Sequence, residues 1–324
     1  MKRPDKTTTL PQAINELVTD GCSLSLGGFT INRNPMAAVY EIIRQKKRNL
    51  HIYAHSNGQG VDELIGGGCV ARVEIAYAGT GRFAPTCIRF RRAVESGTIA
   101  VEDYSNYQMT LRFLAGAMGV PFLPTRSGLG TDIIEKWGFS AELRQQDERL
   151  PEKKLVVIDN PFGEWSETSK VVLVPAVNPE ITILHVQEAD RSGNIRIHGL
   201  TFADIEQAQA ARTLIITCER LVDDEDLRRE PERNQISFLN TDAVILQPWG
   251  AYPTACHGHY DYDPEYLNHY REAAKEENRY RDYLQNNILA LTDHYALLAR
   301  QDQAHLQRLV ADPETGYARG LERR

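Results

Sequence analysis

Two adjacent glycines follow Ser23–Leu26 and are the first residues of this sequence that suggest chemistry. Ser23–Leu26 alternates polar and apolar residues, a pattern typical of a β-strand. Gly27 and Gly28 then let the backbone turn without a Cβ clash, so a ligand can approach the main chain closely. The N–H groups of Gly28 and Phe29 are therefore candidate donors to a phosphate or a developing oxyanion.

Two further loops of small polar residues follow apolar segments in the same way. They contain Ser56, Asn57 and Gly58 after residues 50–54, and Ser127, Gly128 and Gly130 after residues 120–123. A lone double glycine is often only a tight turn. Three such loops at the ends of predicted parallel strands indicate a crevice lined by backbone donors, suited to an anionic ligand.

Glu102 and Asp103 end the fourth predicted strand, where active-site groups of open parallel sheets gather. Two roles stay open for them: an acid or base in catalysis, or structural carboxylates that satisfy backbone donors. The run of histidines and aspartates at residues 257–263 could suggest a metal site, but its glycine and proline neighbours favour a loop. We expect no metal site.

The elements that must position these residues alternate between predicted strands and helices. This order, with small polar loops after successive strands, predicts an open, mainly parallel, doubly wound α/β sheet over residues 1–263. Residues 264–324 are helical in pattern, highly charged and rich in tyrosine. Because they contain few aliphatic residues, we expect a peripheral helical extension that could cover a partner subunit.

The composition excludes several classes of function. Net charge is −7 and the pI about 5.8, which argues against nucleic acid or an anionic membrane as the main partner. Five scattered cysteines, no signal-peptide pattern at the N-terminus and no long apolar run indicate a reduced, cytoplasmic protein. The dinucleotide and ATP-binding glycine motifs are absent, so we expect no permanently bound cofactor.

Several separate motifs, in order, carry a family resemblance that extends over residues 10–265. They are LGGFT (26–30), VEDYS (101–105), GVPFLP (119–124), SGLGT (127–131), IDNPF (158–162), TCE (217–219), DAVI (242–245), GAYP (250–253) and YDYD (260–263). With them the sequence resembles the α subunits of family I CoA-transferases, in particular those of the glutaconate type.

The resemblance implies a CoA-transferase α/β fold, CoA as a substrate and an obligate β subunit in a hetero-oligomer. In such enzymes a β-subunit glutamate attacks the acyl-CoA carbonyl, forming an anhydride and then a glutamyl-CoA thioester. That glutamate usually lies in a Glu-Asn-Gly turn. The only Glu-Asn pair here, Glu277-Asn278, precedes Arg279, so the protein by itself should be inert and should supply oxyanion and acyl-pocket loops.

Two departures from the glutaconate pattern leave the substrate open. Ser56-Asn57-Gly58 resembles the corresponding loop of 3-oxoacid transferases. Arg126, next to Ser127, resembles related α subunits whose complexes hydrolyse a ring-cleavage CoA thioester; it could grip a substrate carboxylate or be an ordinary surface arginine. The alternatives are a thioester hydrolase complex with Glu102 or Asp103 as base, and a non-catalytic module that binds CoA esters.

Overall fold

A computed structural model of the protein describes residues 3–163 and 169–322. Its strands, in sequence order, are β1 (Ser23–Leu26), β2 (Leu50–Ser56), β3 (Val70–Tyr77), β4 (Ala100–Asp103), β5 (Phe122–Thr125), β6 (Val156–Asp159), β7 (Lys170–Pro175), β8 (Ile181–Ala189), β9 (Ile195–Arg196), β10 (Thr213–Leu221) and β11 (Ala243–Leu246).

The α-helices, again in sequence order, surround these strands. They are α1 (Leu10–Leu17), α2 (Met36–Arg44), α3 (Gln59–Gly66), α4 (Ile88–Glu95), α5 (Asn106–Met118), α6 (Asp132–Glu135), α7 (Ala141–Gln146), α8 (Asp204–Ala210), α9 (Asp224–Arg229), α10 (Pro264–Ala274), α11 (Glu277–Leu284), α12 (His294–Ala299) and α13 (Gln303–Leu309). None of the helices in the described ranges is long and apolar enough to cross a membrane.

The main sheet is mainly parallel, as predicted from the sequence. Its strand order is β11-β10-β8-β1-β2-β3-β4, and the short β9 pairs antiparallel with β8. β1 lies at the middle, where Leu24 is in register with Ile52 of β2 and Ile181 of β8. The double glycine after β1 therefore lies at the centre of the carboxyl edge, where open α/β sheets bind ligands.

Three strands within residues 1–263, the range for which the sequence predicted one mainly parallel sheet, form a separate sheet. β5, β7 and β6 are antiparallel neighbours in that order. Short apolar runs look alike in parallel and antiparallel sheets, so the pattern alone could not separate them. One face of this small sheet packs on α5, with Val172 and Val174 fully buried.

The C-terminal helices pack more deeply than expected from their composition. Tyr270 and Tyr283 are buried in the main core, and their hydroxyl groups donate to carboxylates of α3. These helices contribute to the core although they contain few aliphatic residues, because tyrosine rings supply the apolar area that aliphatic residues lack. The division of the sequence at residue 263 stays a prediction.

Candidate active site

The glycine turn after β1 is a tightly fitted structure. Gly28 has a φ of +83°, and a Cβ there would lie 2.4 Å from the carbonyl oxygen of Asn32, so only glycine fits. Its N–H donates to Asp204 Oδ1 at 2.8 Å, and the Phe29 N–H donates to the Asn32 carbonyl at 2.8 Å. Both amides predicted to hold an oxyanion are thus engaged. Their role as oxyanion donors stays a prediction, and it requires these two hydrogen bonds to break when the substrate binds.

A buried ion pair holds this turn in place. Asp204, at the start of α8, also forms an ion pair with Arg33: its Oδ2 lies 2.8 Å from Arg33 Nη1, and the two side chains are 1% and 3% exposed. A second guanidinium nitrogen of Arg33 donates to the Leu200 carbonyl at 2.8 Å. Sequence reasoning missed this pair, because no local pattern links residues 33 and 204. The pair fixes the turn by joining it to the segment before α8.

The loop after β2 is hydrogen-bonded to the glycine turn. The Thr30 N–H donates to the Ser56 carbonyl at 2.8 Å, and the Gly58 N–H donates back to the Thr30 carbonyl at 3.1 Å. The Asn57 amide donates to the Gly27 carbonyl at 3.0 Å and is 1% exposed. The structure therefore brings these two predicted loops together, with Asn57 in a structural position.

The third predicted loop joins them through the start of α5. Ser56 Oγ donates to Asn106 Oδ1 at 2.5 Å, and Ser105 Oγ lies 3.0 Å from Ser127 Oγ. Ser105 also caps α5 through a reciprocal capping box with Gln108. Because Ser105 and Asn106 are neighbours, the loops after β2 and β5 meet at this helix end.

The remaining predicted residues of the third loop are more exposed. Gly128 and Gly130 have φ values of +92° and +73°, which favour glycine. Arg126 is exposed, and within the described ranges its side chain has no hydrogen bond or ion pair. Arg126 directly precedes Ser127, which contacts Ser105 at the start of α5, and its predicted role in binding a carboxylate remains a prediction.

Glu102 has the contacts of a structural carboxylate, and its alternative role as an acid or base stays a prediction. It is fully buried, its two oxygens accept from the Arg144 guanidinium, and it also accepts from the N–H groups of Gly138 and Phe139 at 3.2 and 3.1 Å. A carboxylate so saturated is poorly placed to take a proton from a substrate. Asp103 is 62% exposed and pairs with the buried Lys154 at 3.0 Å.

A cavity of about 300 Å³ adjoins the glycine turn. Its wall comes from four separate segments of the sequence: Asn32, Arg33, His198, Gly199, Leu200, Phe202, Ala255, His257 and Tyr317. Phe29 stacks on Phe202 with ring centroids 4.8 Å apart, and the His55 ring lies 5.7 Å from Phe29. Burial lowers the pKa of His55, an effect that the Asp204 carboxylate opposes. The sequence could not assemble this cavity, because its segments meet only in the fold.

Behind the turn, His185, Glu219 and Cys256 could supply metal ligands. Their ligand atoms lie within 4.8 Å of one another, and all three residues are buried. Two of them already belong to a hydrogen-bonded network: His185 Nε2 lies 2.7 Å from Glu219 Oε1, which also accepts from Tyr260 at 2.6 Å. Hydrogen bonds to His185 and Tyr260 hold the pKa of Glu219 below its usual value against the opposing effect of burial. The network packs β8 against β10 and the segment after β11.

Comparison with known proteins identifies the family. The coenzyme A transferase family model matches residues 7–247. The protein belongs to this family. It is also 36% identical to the A subunit of glutaconate CoA-transferase from Acidaminococcus fermentans, over 96% of this sequence and 97% of the relative. The crystal structure of that enzyme superposes with a TM-score of 0.92 and covers 97% of this protein and 98% of the matched polypeptide.

More distant relatives in the family carry different names. The A subunit of 3-oxoadipate CoA-transferase from Pseudomonas knackmussii is 29% identical over 88% of this sequence and 94% of the relative. The cholesterol ring-cleaving hydrolase IpdA subunit of Rhodococcus jostii is 26% identical over 91% and 96%. This protein is therefore an enzyme subunit of the CoA-transferase family with an α/β fold, and the relatives named as A subunits imply a partner subunit.

Proposed function

We propose that the protein is the α subunit of an acyl-CoA:carboxylate CoA-transferase of the glutaconate type. The observation that carries this proposal is the similarity to the A subunit of glutaconate CoA-transferase, which spans nearly all of both polypeptides in sequence and in structure. The substrate CoA thioester would bind at the carboxyl edge of the main sheet. There the loops after β1, β2 and β5 join one another.

The attacking carboxylate would come from a β subunit. The acidic side chains that the structure places at or near this edge are engaged: Asp204 by Arg33, Glu102 by Arg144 and Asp103 by Lys154. A carboxylate held in a buried ion pair is a weak nucleophile, since attack would leave the buried cation unpaired. This supports a division of labour in which the α subunit shapes the pocket and the β subunit forms the covalent intermediate.

The three loops would wall the acyl pocket. The glycine turn and the Ser56–Gly58 loop are held rigidly by main-chain and buried side-chain hydrogen bonds, a preorganisation that favours transition-state binding. The oxyanion role of the Gly28 and Phe29 amides would require the acyl oxygen to displace Asp204 and the Asn32 carbonyl. The exposed Arg126 would bind a carboxylate of the acyl group or of the acceptor.

The hydrolase alternative needs a general base in this protein. Glu102 is poorly suited to that role because it is saturated and inaccessible. Asp103 is exposed but belongs to an ion pair. The geometry therefore favours transfer over hydrolysis, even though one relative is named as a hydrolase.

The test compares the isolated protein with its complex with the cognate β subunit, sought in the neighbouring reading frame. With an acyl-CoA donor and a free carboxylate acceptor, the complex should form new acyl-CoA, and neither subunit by itself should do so. Release of free CoA without transfer to the acceptor would instead indicate hydrolysis. Turnover by the isolated α subunit would refute the proposal.

A further inference from the structure

The small antiparallel sheet has one face that the described residues leave exposed or half-buried. Directly opposed residues of neighbouring strands lie on the same side of a sheet. Phe122 is opposite Pro175, and Leu173 is opposite both Pro124 and Val156. Together with the opposed pair of Ile158 and Val171 they define what we call the outer face: Phe122, Pro124, Val156, Ile158, Val171, Leu173 and Pro175.

The outer face is wholly apolar, although it is open to solvent. Phe122 is 45% and Ile158 36% exposed, and the other five residues are exposed or half-buried. The opposite face already packs on α5 through Val172 and Val174. An antiparallel sheet with one solvated face normally places polar residues on that side. An outer face without a polar residue therefore indicates a surface that another molecule covers.

The size of the outer face limits what can cover it. Four residues of strand and three strands span on the order of 200 Å². A stable protein–protein interface buries about 800 Å² on each partner, with an apolar centre and a polar rim. The outer face can therefore form only the centre of such an interface, and its occupant must also contact neighbouring parts of the protein.

One of those neighbouring parts is the candidate active site. Thr125, the last residue of β5, is opposite Val172 of β7. The next pair along β7, Val171 with Ile158, therefore lies just past the carboxyl end of β5. The loop that begins at Arg126 leaves the sheet at this same end. That loop connects to the start of α5 through Ser127. A partner centred on the outer face and extending past this end therefore reaches the three active-site loops.

We propose that the outer face is the hydrophobic centre of the surface on which the β subunit docks, with apolar side chains of that subunit covering it. The inference rests on the proposed function, which requires a β subunit to bring its glutamate to these loops. A second copy of this protein would have no such reason to approach the site.

The experiment measures binding of the purified β subunit to variants of this protein. Ile158→Lys places a charge in the centre of the outer face, and Leu239→Lys, at a loop residue that is 79% exposed, is the matched control. Both residues have solvent access, so the isolated variants should melt as the wild type does. Sedimentation titrations should show binding weakened roughly 100-fold by Ile158→Lys and at most about threefold by Leu239→Lys.

Three outcomes would decide the matter. Unchanged β-subunit affinity in both Ile158→Lys and Phe122→Lys would overturn the proposal. So would a wild-type protein that dimerises by itself and becomes monomeric on Ile158→Lys while still binding the β subunit normally. Binding of the β subunit and turnover of the complex are measured separately. If binding depends on the outer face but the complex transfers no CoA, the proposed function is refuted and the proposed docking surface is supported.

Discussion

At the scale of single residues, the structure shows the surroundings of Glu102, Asp103 and Arg126, whose roles the sequence left open. Glu102 lies where predicted, at the end of a strand, but Arg144 and two backbone amides saturate it. The sequence could not show this, because α7 supplies Arg144 from a segment with no recognisable motif. Asp204 and Arg33 were missed for the same reason.

Glu102→Gln tests whether this carboxylate is structural. The change leaves Arg144 buried without a counter-charge, so the free energy of unfolding of the isolated protein should fall by about 3–5 kcal/mol. The control Glu95→Gln breaks an exposed pair with Arg91 and should cost less than about 1 kcal/mol. Urea denaturation measures both. If Glu102→Gln kept wild-type stability but abolished turnover of the complex, Glu102 would be a catalytic base.

Arg126→Lys tests the predicted carboxylate grip. A lysine keeps the charge but loses bidentate geometry, so KM for a dicarboxylic acyl-CoA should rise roughly 10- to 100-fold with little change in kcat. The stability of the isolated protein should be unchanged because Arg126 is exposed. Arg91→Lys, on the exposed face of α4, is the control. An equal effect on a monocarboxylic acyl-CoA, or no effect at all, would mean that Arg126 does not bind the carboxylate.

At the scale of elements, local sequence patterns predicted the helices and strands that flank the site. These patterns could not predict which strands pair with one another. The glycine turn after β1 lies as expected. The small antiparallel sheet did not emerge from the sequence, since strand partners are chosen by tertiary packing. The burial of the C-terminal tyrosines likewise depends on the carboxylates of α3, which are distant in the sequence.

The contact between α3 and α11 should make stability depend on pH. Glu63 accepts from Tyr283 at 2.7 Å and from Gln59 at 2.9 Å, and burial raises its pKa to about 8. The folded protein therefore holds a proton that the unfolded protein releases near pH 4.5. The stabilising contribution is full below that pH and is lost as pH rises towards 8, by at most about 1.4 kcal/mol per pH unit.

Glu63→Gln should remove this part of the pH dependence. Urea denaturation of the isolated protein between pH 5 and about pH 8 should show wild-type stability falling more steeply than that of the variant. Glu265→Gln, at a side chain that is 77% exposed, should keep the wild-type slope. An identical slope in wild type and Glu63→Gln would show that Glu63 does not hold its proton in the folded state.

At the scale of the whole molecule, the candidate active site combines preorganised loops with carboxylates that are already paired. Its three loops meet at the middle of the carboxyl edge, yet the carboxylates found beside them are held in ion pairs. The small sheet of the protein presents an apolar face at the same end. The parallel fold was predictable from alternating strands and helices, and the expectation of a partner came from the family resemblance together with the missing Glu-Asn-Gly turn. The surface on which we propose that the partner docks could be recognised only from the strand register of the folded protein.

The most direct test of this division of labour locates the covalent intermediate. The complex of this protein with its β subunit is incubated with acyl-CoA and then borohydride, which reduces an enzyme-bound thioester, and both polypeptides are digested and mapped by mass spectrometry. We expect inactivation and a reduced glutamate on the β subunit, with every carboxylate of the α subunit unmodified. A reduced glutamate or aspartate on the α subunit, or full activity after treatment, would contradict the account.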